Sequence, residues 1–327
     1  MVAAQLAILM YLEYITVASF SRRFPKNPIP MSIYFMKLSS KANLYLLLAT
    51  LMWGITFPLT RNALTEVDPF VFVSLRFALA TLVLLPNVWI LLQNTTRTIL
   101  RGSLIIGILN AGAYLCQTIG LQTVHSSRAA FITGASVILV PFLAPLFKLE
   151  KPSSLDLLCA GIGFIGLYVL MDIKHLYIGH GELWVFFGAI FFSLQITYLQ
   201  RINQLIGDYQ LLAFYQLLFT VPFVFLFTKG HSFIAALQPQ ALVGILFCAV
   251  FATSLAYYLQ NKYQKFTSAP KAALIFALEP VFASLFGVLT NHEMLAKTTI
   301  IGGSLLLLSL ILPAIVNMKK ESDPFIK

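Results

Sequence analysis

Charged residues are scarce in this sequence. They make up 10% of 327 residues, against about 25% in a typical soluble domain. With 59% hydrophobic residues and a mean hydropathy of +0.85, that deficit excludes an ordinary soluble enzyme or binding module. Cysteine is nearly missing as well. Cys116, Cys159 and Cys248 fall inside predicted helices and show no metal-ligand spacing. Neither a disulfide framework nor a metal site follows from them, and each reads as a small buried apolar residue. There is no Walker-type phosphate loop, no Ser/Lys dyad and no metal-protease pattern. No polar stretch is long enough for a soluble catalytic or output domain. The sequence therefore points to no catalytic residue and no cofactor, and a membrane-embedded enzyme and a sensor are both disfavoured. Gly161-Ile162-Gly163-Phe164-Ile165-Gly166 spells a dinucleotide fingerprint, but it lies mid-helix with no strand before it. Close helix packing accounts for those glycines better.

What the chain does contain is a series of apolar runs, each near the roughly 17–25 residues that cross a bilayer. The predicted spans are 44–63, 69–91, 99–120, 128–147, 155–171, 182–200, 209–228, 239–260, 270–290 and 297–317. This is an all-α integral membrane protein with ten transmembrane helices and short connections. Five helices precede a polar linker at 172–181 and five follow it. An odd number per half makes the second half enter the membrane from the opposite side. The expected organisation is an N-terminal extension (1–43), a first repeat (44–171), the linker, a second repeat (182–317) and a tail (318–327).

The net charge of +10 follows topology. With the first core helix starting inside the cell, 16 Lys and Arg fall on the cytoplasmic side and five on the other, namely Arg61, Arg128, Lys174, Lys229 and Lys297. This is the positive-inside bias, so no nucleic-acid partner is implied. Both core ends are expected in the cytoplasm, with the protein in a bacterial inner membrane. Asn94-Thr95-Thr96 spells a glycosylation acceptor, but its loop is predicted cytoplasmic. Met1–Phe20 is apolar yet contains Glu13 and lacks a basic start, which makes it a poor signal peptide. It reads as an interfacial segment, an upstream extension before a start at Met31 or Met36, or an eleventh span.

Residues 104–150 align without a gap on 247–293 at an offset of 143. Only eight of the 47 positions are identical, so the weight lies in matched polar residues inside apolar runs, where polar groups are costly. Tyr114 and Gln117 fall on Tyr257 and Gln260, Arg128 on Lys271, Ala129-Ala130 on Ala272-Ala273, and Glu150 on Glu293. A second correspondence joins the second and seventh helices, where Asp68 precedes Arg76 by eight and Asp208 precedes Gln216 by eight.

Further signatures are spread over about residues 42–316. The first half has Trp53-Gly54 with Phe57, Asp68-Pro69 leading to Arg76-Phe77 and Pro86, and Ala129-Ala130-Phe131 running to Val140-Pro141. The second has Gly181-Glu182-Leu183, then Glu279-Pro280-Val281-Phe282-Ala283, and Gly302-Gly303. In order and spacing these resemble the drug/metabolite transporter superfamily, ten-helix permeases with two EamA-type repeats. The chain departs from that pattern at Ser136-Val137, where the other half has Glu279-Pro280, and at Phe192-Ser193, where the sixth helix often carries Trp.

Ten residues are candidates for a central cavity. Glu279 lies eight residues after Lys271 and fourteen before Glu293, well inside the bilayer, where a carboxylate faces a cavity or a partner. It is a candidate for proton coupling or substrate binding; its alternative is a structural bond beside Pro280. Arg76, at similar depth, would bind a carboxylate or phosphate, pair with Glu279, or snorkel outward. Tyr114 and Gln117, like Tyr257 and Gln260, are spaced i, i+3 and share one helical face. Asn110, a turn earlier, extends the first of these faces. Trp53, Gln195 and Tyr198 sit in the first and sixth helices, as cavity wall or plain packing.

The resemblance implies a secondary active transporter working by alternating access without ATP. It would move a small polar or amphipathic metabolite such as an amino acid, with export the commoner direction and protons as a coupling partner. The bilayer and a small molecule are its expected partners, and a flippase-like carrier of lipid or lipid-linked substrate is the alternative.

Overall fold

The computed structural model describes residues 31–170, 179–291 and 297–322. Residues 1–30 lie outside these, as do most of the linker, Glu293, His175 and His292 with them. Every regular element among the described residues is helical. They run as α1 (Met31–Ala63), α2 (Pro69–Val88), α3 (Arg97–Leu121), α4 (Ser126–Gly134), α5 (Ser136–Leu143) and α6 (Ser154–Leu170). Then come α7 (His180–Leu205), α8 (Tyr209–Phe225), α9 (Pro239–Phe247), α10 (Ala256–Tyr263), α11 (Ala269–Phe276), α12 (Glu279–Asn291) and α13 (Lys297–Ser322). Seven helical stretches are long and apolar enough to cross a membrane, and three shorter apolar ones lie at 154–169, 209–225 and 300–313.

Local chemistry explains several boundaries. Asp68 caps α2, its carboxylate accepting the Phe70 N–H at 2.8 Å, with Pro69 opening the helix. Asp208 caps α8 in the same way, accepting the Leu211 N–H at 3.2 Å. The two aspartates matched in sequence therefore do the same work at two helix starts. Helix α1 begins at Met31, thirteen residues before the start of the predicted span at 44. The polar stretch around Lys37 and Lys41 continues a helix already under way.

The two halves of the chain interlock. Helix α3 packs against α7 and α8, α2 against α8, α1 against α9, α10 and α12, and α6 against α13. Each of these pairs joins the first half to the second. Leu44, Ile90, Leu158, Ile165, Phe186 and Ile301 lie exposed on the outside, as expected where lipid rather than water is the neighbour. Inside, the three cysteines are buried and free. The Gly161–Gly166 letters sit within α6, where Gly166 faces α13: a Cβ there would lie 2.8 Å from the Gly302 carbonyl oxygen.

Candidate functional site

Two helices are interrupted at matched positions. One breaks between α4 and α5 and restarts at Ser136; the other breaks between α11 and α12 and restarts at Glu279, 143 residues later. Pro280 explains the second break, since it has no N–H to continue the ladder and is well placed in a first helical turn. The first break has only Gly134 beside it and no proline. Inside a membrane, broken backbone is tolerated where it lines a cavity or is buried in protein, and both breaks flank a cavity.

That cavity contains about 520 Å³ of space not filled by atoms, its mouth included. Of the residues expected from the sequence, Trp53, Tyr114, Gln117, Gln195, Tyr257, Gln260 and Glu279 line it. Arg76, Asn110 and Tyr198 do not. Gly54 brings α1 against α12 next to Glu279, because a Cβ there would lie 2.7 Å from Phe282 Cβ. Trp53 is held edge-on to Tyr257 and Phe276, at centroid distances of 5.9 and 5.1 Å. Its indole N–H donates to the Ala252 carbonyl at 2.8 Å.

The lining is hydrogen-bonded across the two halves at Tyr257 and within each half elsewhere. The Tyr257 hydroxyl lies 3.2 Å from that of Tyr114 and 3.1 Å from Asn110 Oδ1. Gln260 Nε2 donates to Gln264 Oε1 at 3.0 Å and to Gln195 Oε1 at 3.4 Å. Gln117 Nε2 donates to Thr133 Oγ1 at 3.0 Å. Glu279 is 8% exposed, and among the described residues no ion pair or hydrogen bond holds its carboxylate. It is the only acidic side chain in the lining, and no basic side chain lines the cavity.

Arg76 neither snorkels nor pairs with Glu279. It is 2% exposed, donates from Nε to Thr253 Oγ1 at 2.7 Å and places its guanidinium over the Tyr114 ring at 4.5 Å. It stands behind the cavity wall. Asn110 is also behind the wall and reaches the cavity only through Tyr257. Tyr198 packs edge-on against Phe147, away from the space. No group of His, Cys, Asp and Glu that could hold a metal ion occurs among the described residues.

Thr56, Phe57, Thr133 and Ser136, which are not among the ten cavity candidates, also line the cavity. A signal for them existed. The offset of 143 places Thr133 on Phe276 and Ser136 on Glu279. An offset of 139 places Trp53 on Phe192, Thr56 on Gln195 and Phe57 on Ile196. With the two Tyr and two Gln matched earlier, fourteen of the fifteen lining residues fall into seven such pairs, leaving only Gly134. A wall made almost entirely of paired positions is the join of two repeats.

Comparison with known proteins agrees. The profile of the EamA-like transporter family matches the chain twice, over residues 40–172 and 179–314. An uncharacterized transporter of Archaeoglobus fulgidus is 32% identical over 278 residues, covering 83% of this chain and 85% of that protein. The uncharacterized transporter YvbV of Bacillus subtilis is 26% identical over 303 residues, covering 88% and 96%. A crystal structure at 17% identity superposes with a TM-score of 0.68 over 86% of this chain and 99% of its own, which bears on the fold alone. With the profile matched over both repeats and apolar helices throughout, this chain is a multi-pass membrane protein belonging to the EamA-like transporter family.

Proposed function

We propose that this protein is a secondary active transporter that moves a small polar or amphipathic metabolite, such as an amino acid, by alternating access. The observation that carries this reading is the paired wall: two repeats face one cavity with corresponding residues, and the corresponding tyrosines Tyr114 and Tyr257 touch. Counterparts related by a two-fold operation can meet only near its axis, so the cavity is taken to sit on a pseudo-two-fold axis in the membrane plane. On this reading the three shorter apolar helices also span, giving ten helices as two inverted repeats of five. The distribution of lysines and arginines supports a topology with both core ends in the cytoplasm, and the protein is assigned to an inner membrane on the same reading.

Glu279 is assigned the coupling role. A lone carboxylate in a low-dielectric cavity is costly unless a proton or a polar partner neutralises it. Exchange of a proton for a substrate group at Glu279 would link the two fluxes. The paired glutamines and tyrosines supply neutral donors and acceptors, and Trp53, Phe192 and Phe276 supply apolar walls.

The test is an untargeted metabolite comparison of cells with and without the protein, inside and in the medium. A small-molecule pool displaced across the membrane is the expected result and names the substrate class. Unchanged soluble pools with altered lipids would replace this reading with a flippase-like carrier.

A further inference from the structure

Between α9 and α10 the backbone is not α-helical. Over Cys248–Leu255 it is π-helical, and the Ala256 N–H reaches back five residues to the Phe251 carbonyl. Such segments hold extra residues within a helix and recur at functional sites. Three successive residues of this one are gripped from the first repeat. The Trp53 indole N–H donates to the Ala252 carbonyl at 2.8 Å. Arg76 Nε donates to Thr253 Oγ1 at 2.7 Å. The Ser254 hydroxyl donates to the Ala80 carbonyl and, five residues back, to that of Ala249, each at 2.9 Å.

The corresponding stretch of the first repeat, residues 105–112, is ordinary α-helix inside α3. Its clamp residues have changed identity. Phe192 stands for Trp53 and has no N–H to give; Ala111 stands for Ser254 and has no hydroxyl. Asn110 stands for Thr253 and Gln216 for Arg76. Gln216 is fully buried with neither atom of its amide hydrogen-bonded. From the other repeat this stretch receives the Thr220 hydroxyl, on the Gly107 carbonyl at 3.2 Å, and the Tyr257 hydroxyl, on Asn110 Oδ1, but no counterpart of the Trp53 and Arg76 contacts. The helix is π-helical where those contacts exist and α-helical where they do not.

We propose that Trp53, Arg76, Thr253 and Ser254 are positioning residues that hold Cys248–Leu255 in its π register, and that this register turns Tyr257 and Gln260 into the cavity. The proposal rests on reading that cavity as the transport site. If the segment relaxes to α-helix from a fixed α9, one residue of phase is lost, a rotation of about 100°. Each later residue then takes the place of the next: Ala256 comes where Tyr257 was, and Leu259 where Gln260 was. The hydroxyl contact with Tyr114 and Asn110 is lost, and an apolar face replaces an amide. A helix with two discrete registers is the kind of bistable element a conformational change can use.

The register can be read by cysteine accessibility in the full chain, after replacing Cys116, Cys159 and Cys248 by alanine. Gln260→Cys or Leu259→Cys is introduced separately and treated in membranes with a water-soluble maleimide. Both side chains are buried, but only Gln260 lines the cavity, so Gln260→Cys is expected to react about tenfold faster than Leu259→Cys, since a thiol reacts only where the reagent has a path to it. Adding Thr253→Val, which removes the acceptor of Arg76 without touching the lining, should reverse that order. Trp53→Phe, which installs the residue the other repeat carries there, should move it the same way and serves if Thr253→Val does not fold. An order unchanged by both variants, or no difference in the parent, overturns the proposal. No transported molecule enters the assay, so failure of the transport reading would show in the metabolite pools and not here.

Discussion

At the cavity the first repeat presents Thr56, Gln117, Thr133 and Ser136, and the second presents Gln195, Gln260, Phe276 and Glu279 at the corresponding places. One pair of four has kept its identity. The shape of the wall is nevertheless shared: both repeats break a helix at the same point and both cap a helix with an aspartate eight residues before a buried polar side chain. The fold is held by features that tolerate exchange among apolar and small residues. The chemistry sits in a few positions free to diverge: the single carboxylate and the π-helical segment lie in the second repeat, and Trp53 and Arg76, which grip that segment, lie in the first. The two halves are alike as scaffolds and unlike as reagents.

The sharpest way to break that contrast is at its most unequal pair. Glu279→Gln is expected to abolish proton-driven flux, a loss of about two orders of magnitude or more if the carboxylate carries the proton, while Ser136→Ala changes it little. Efflux of the substrate from vesicles with an imposed pH gradient measures both, and full flux with an unchanged pH profile in Glu279→Gln would remove the coupling role.

Next comes the join of the repeats away from the cavity, where α6 meets α13. A Cβ on Gly166 would lie 2.8 Å from the Gly302 carbonyl oxygen and 3.0 Å from the Leu306 nitrogen, whereas Gly161 has nothing within 4 Å. Gly166→Ala should therefore cost about 1–3 kcal/mol by overpacking and Gly161→Ala almost nothing. Thermal unfolding in detergent, run on both, tests whether packing alone holds the peripheral pair.

A finer contrast is that between the two tyrosines. The Tyr257 hydroxyl serves both Asn110 and Tyr114, and that of Tyr114 only Tyr257. Hydrogen bonds between membrane helices average about 0.6 kcal/mol and reach about 1.7. Tyr257→Phe should thus destabilise more than Tyr114→Phe in the same unfolding measurement; the reverse order would mean that the pair is not bonded as described.

The smallest effect is expected at the non-cytoplasmic end of the proposed topology, where Arg128 Nε lies 3.3 Å from Glu182 Oε1 with both side chains partly exposed. A pair of this kind contributes about 0.2–1 kcal/mol. A charge-swapped double variant should recover what either single reversal loses. Lys271, the counterpart of Arg128, makes no ion pair among the described residues, so Lys271→Met should destabilise less than Arg128→Met in the same unfolding measurement.

Several of these features were legible before any coordinates. The apolar runs, the matched aspartates and the Tyr/Gln pairs could be read directly, and seven of ten candidate residues line one cavity. The misses have a common cause. The depth and charge of Arg76 suggest an acidic partner or an escape to the surface. Its actual neighbours, Thr253 and the Tyr114 ring, are 177 and 38 residues away along the chain. Thr56, Thr133 and Ser136 are too ordinary to stand out until their counterparts Gln195, Phe276 and Glu279 are known to line a cavity.

What the sequence determined by itself is the membrane location and the division into two related halves. Both follow from local quantities, the transfer of an apolar run into lipid and the recurrence of polar residues where they are costly. The tertiary structure alone decided that α4 breaks at Gly134 without a proline, that Cys248–Leu255 is π-helical while its counterpart is not, and which face of each helix meets the cavity. Those outcomes depend on contacts between halves, such as Trp53 with Ala252 and Gly54 with Phe282. Helix periodicity carries no record of a partner that lies in the other half of the chain.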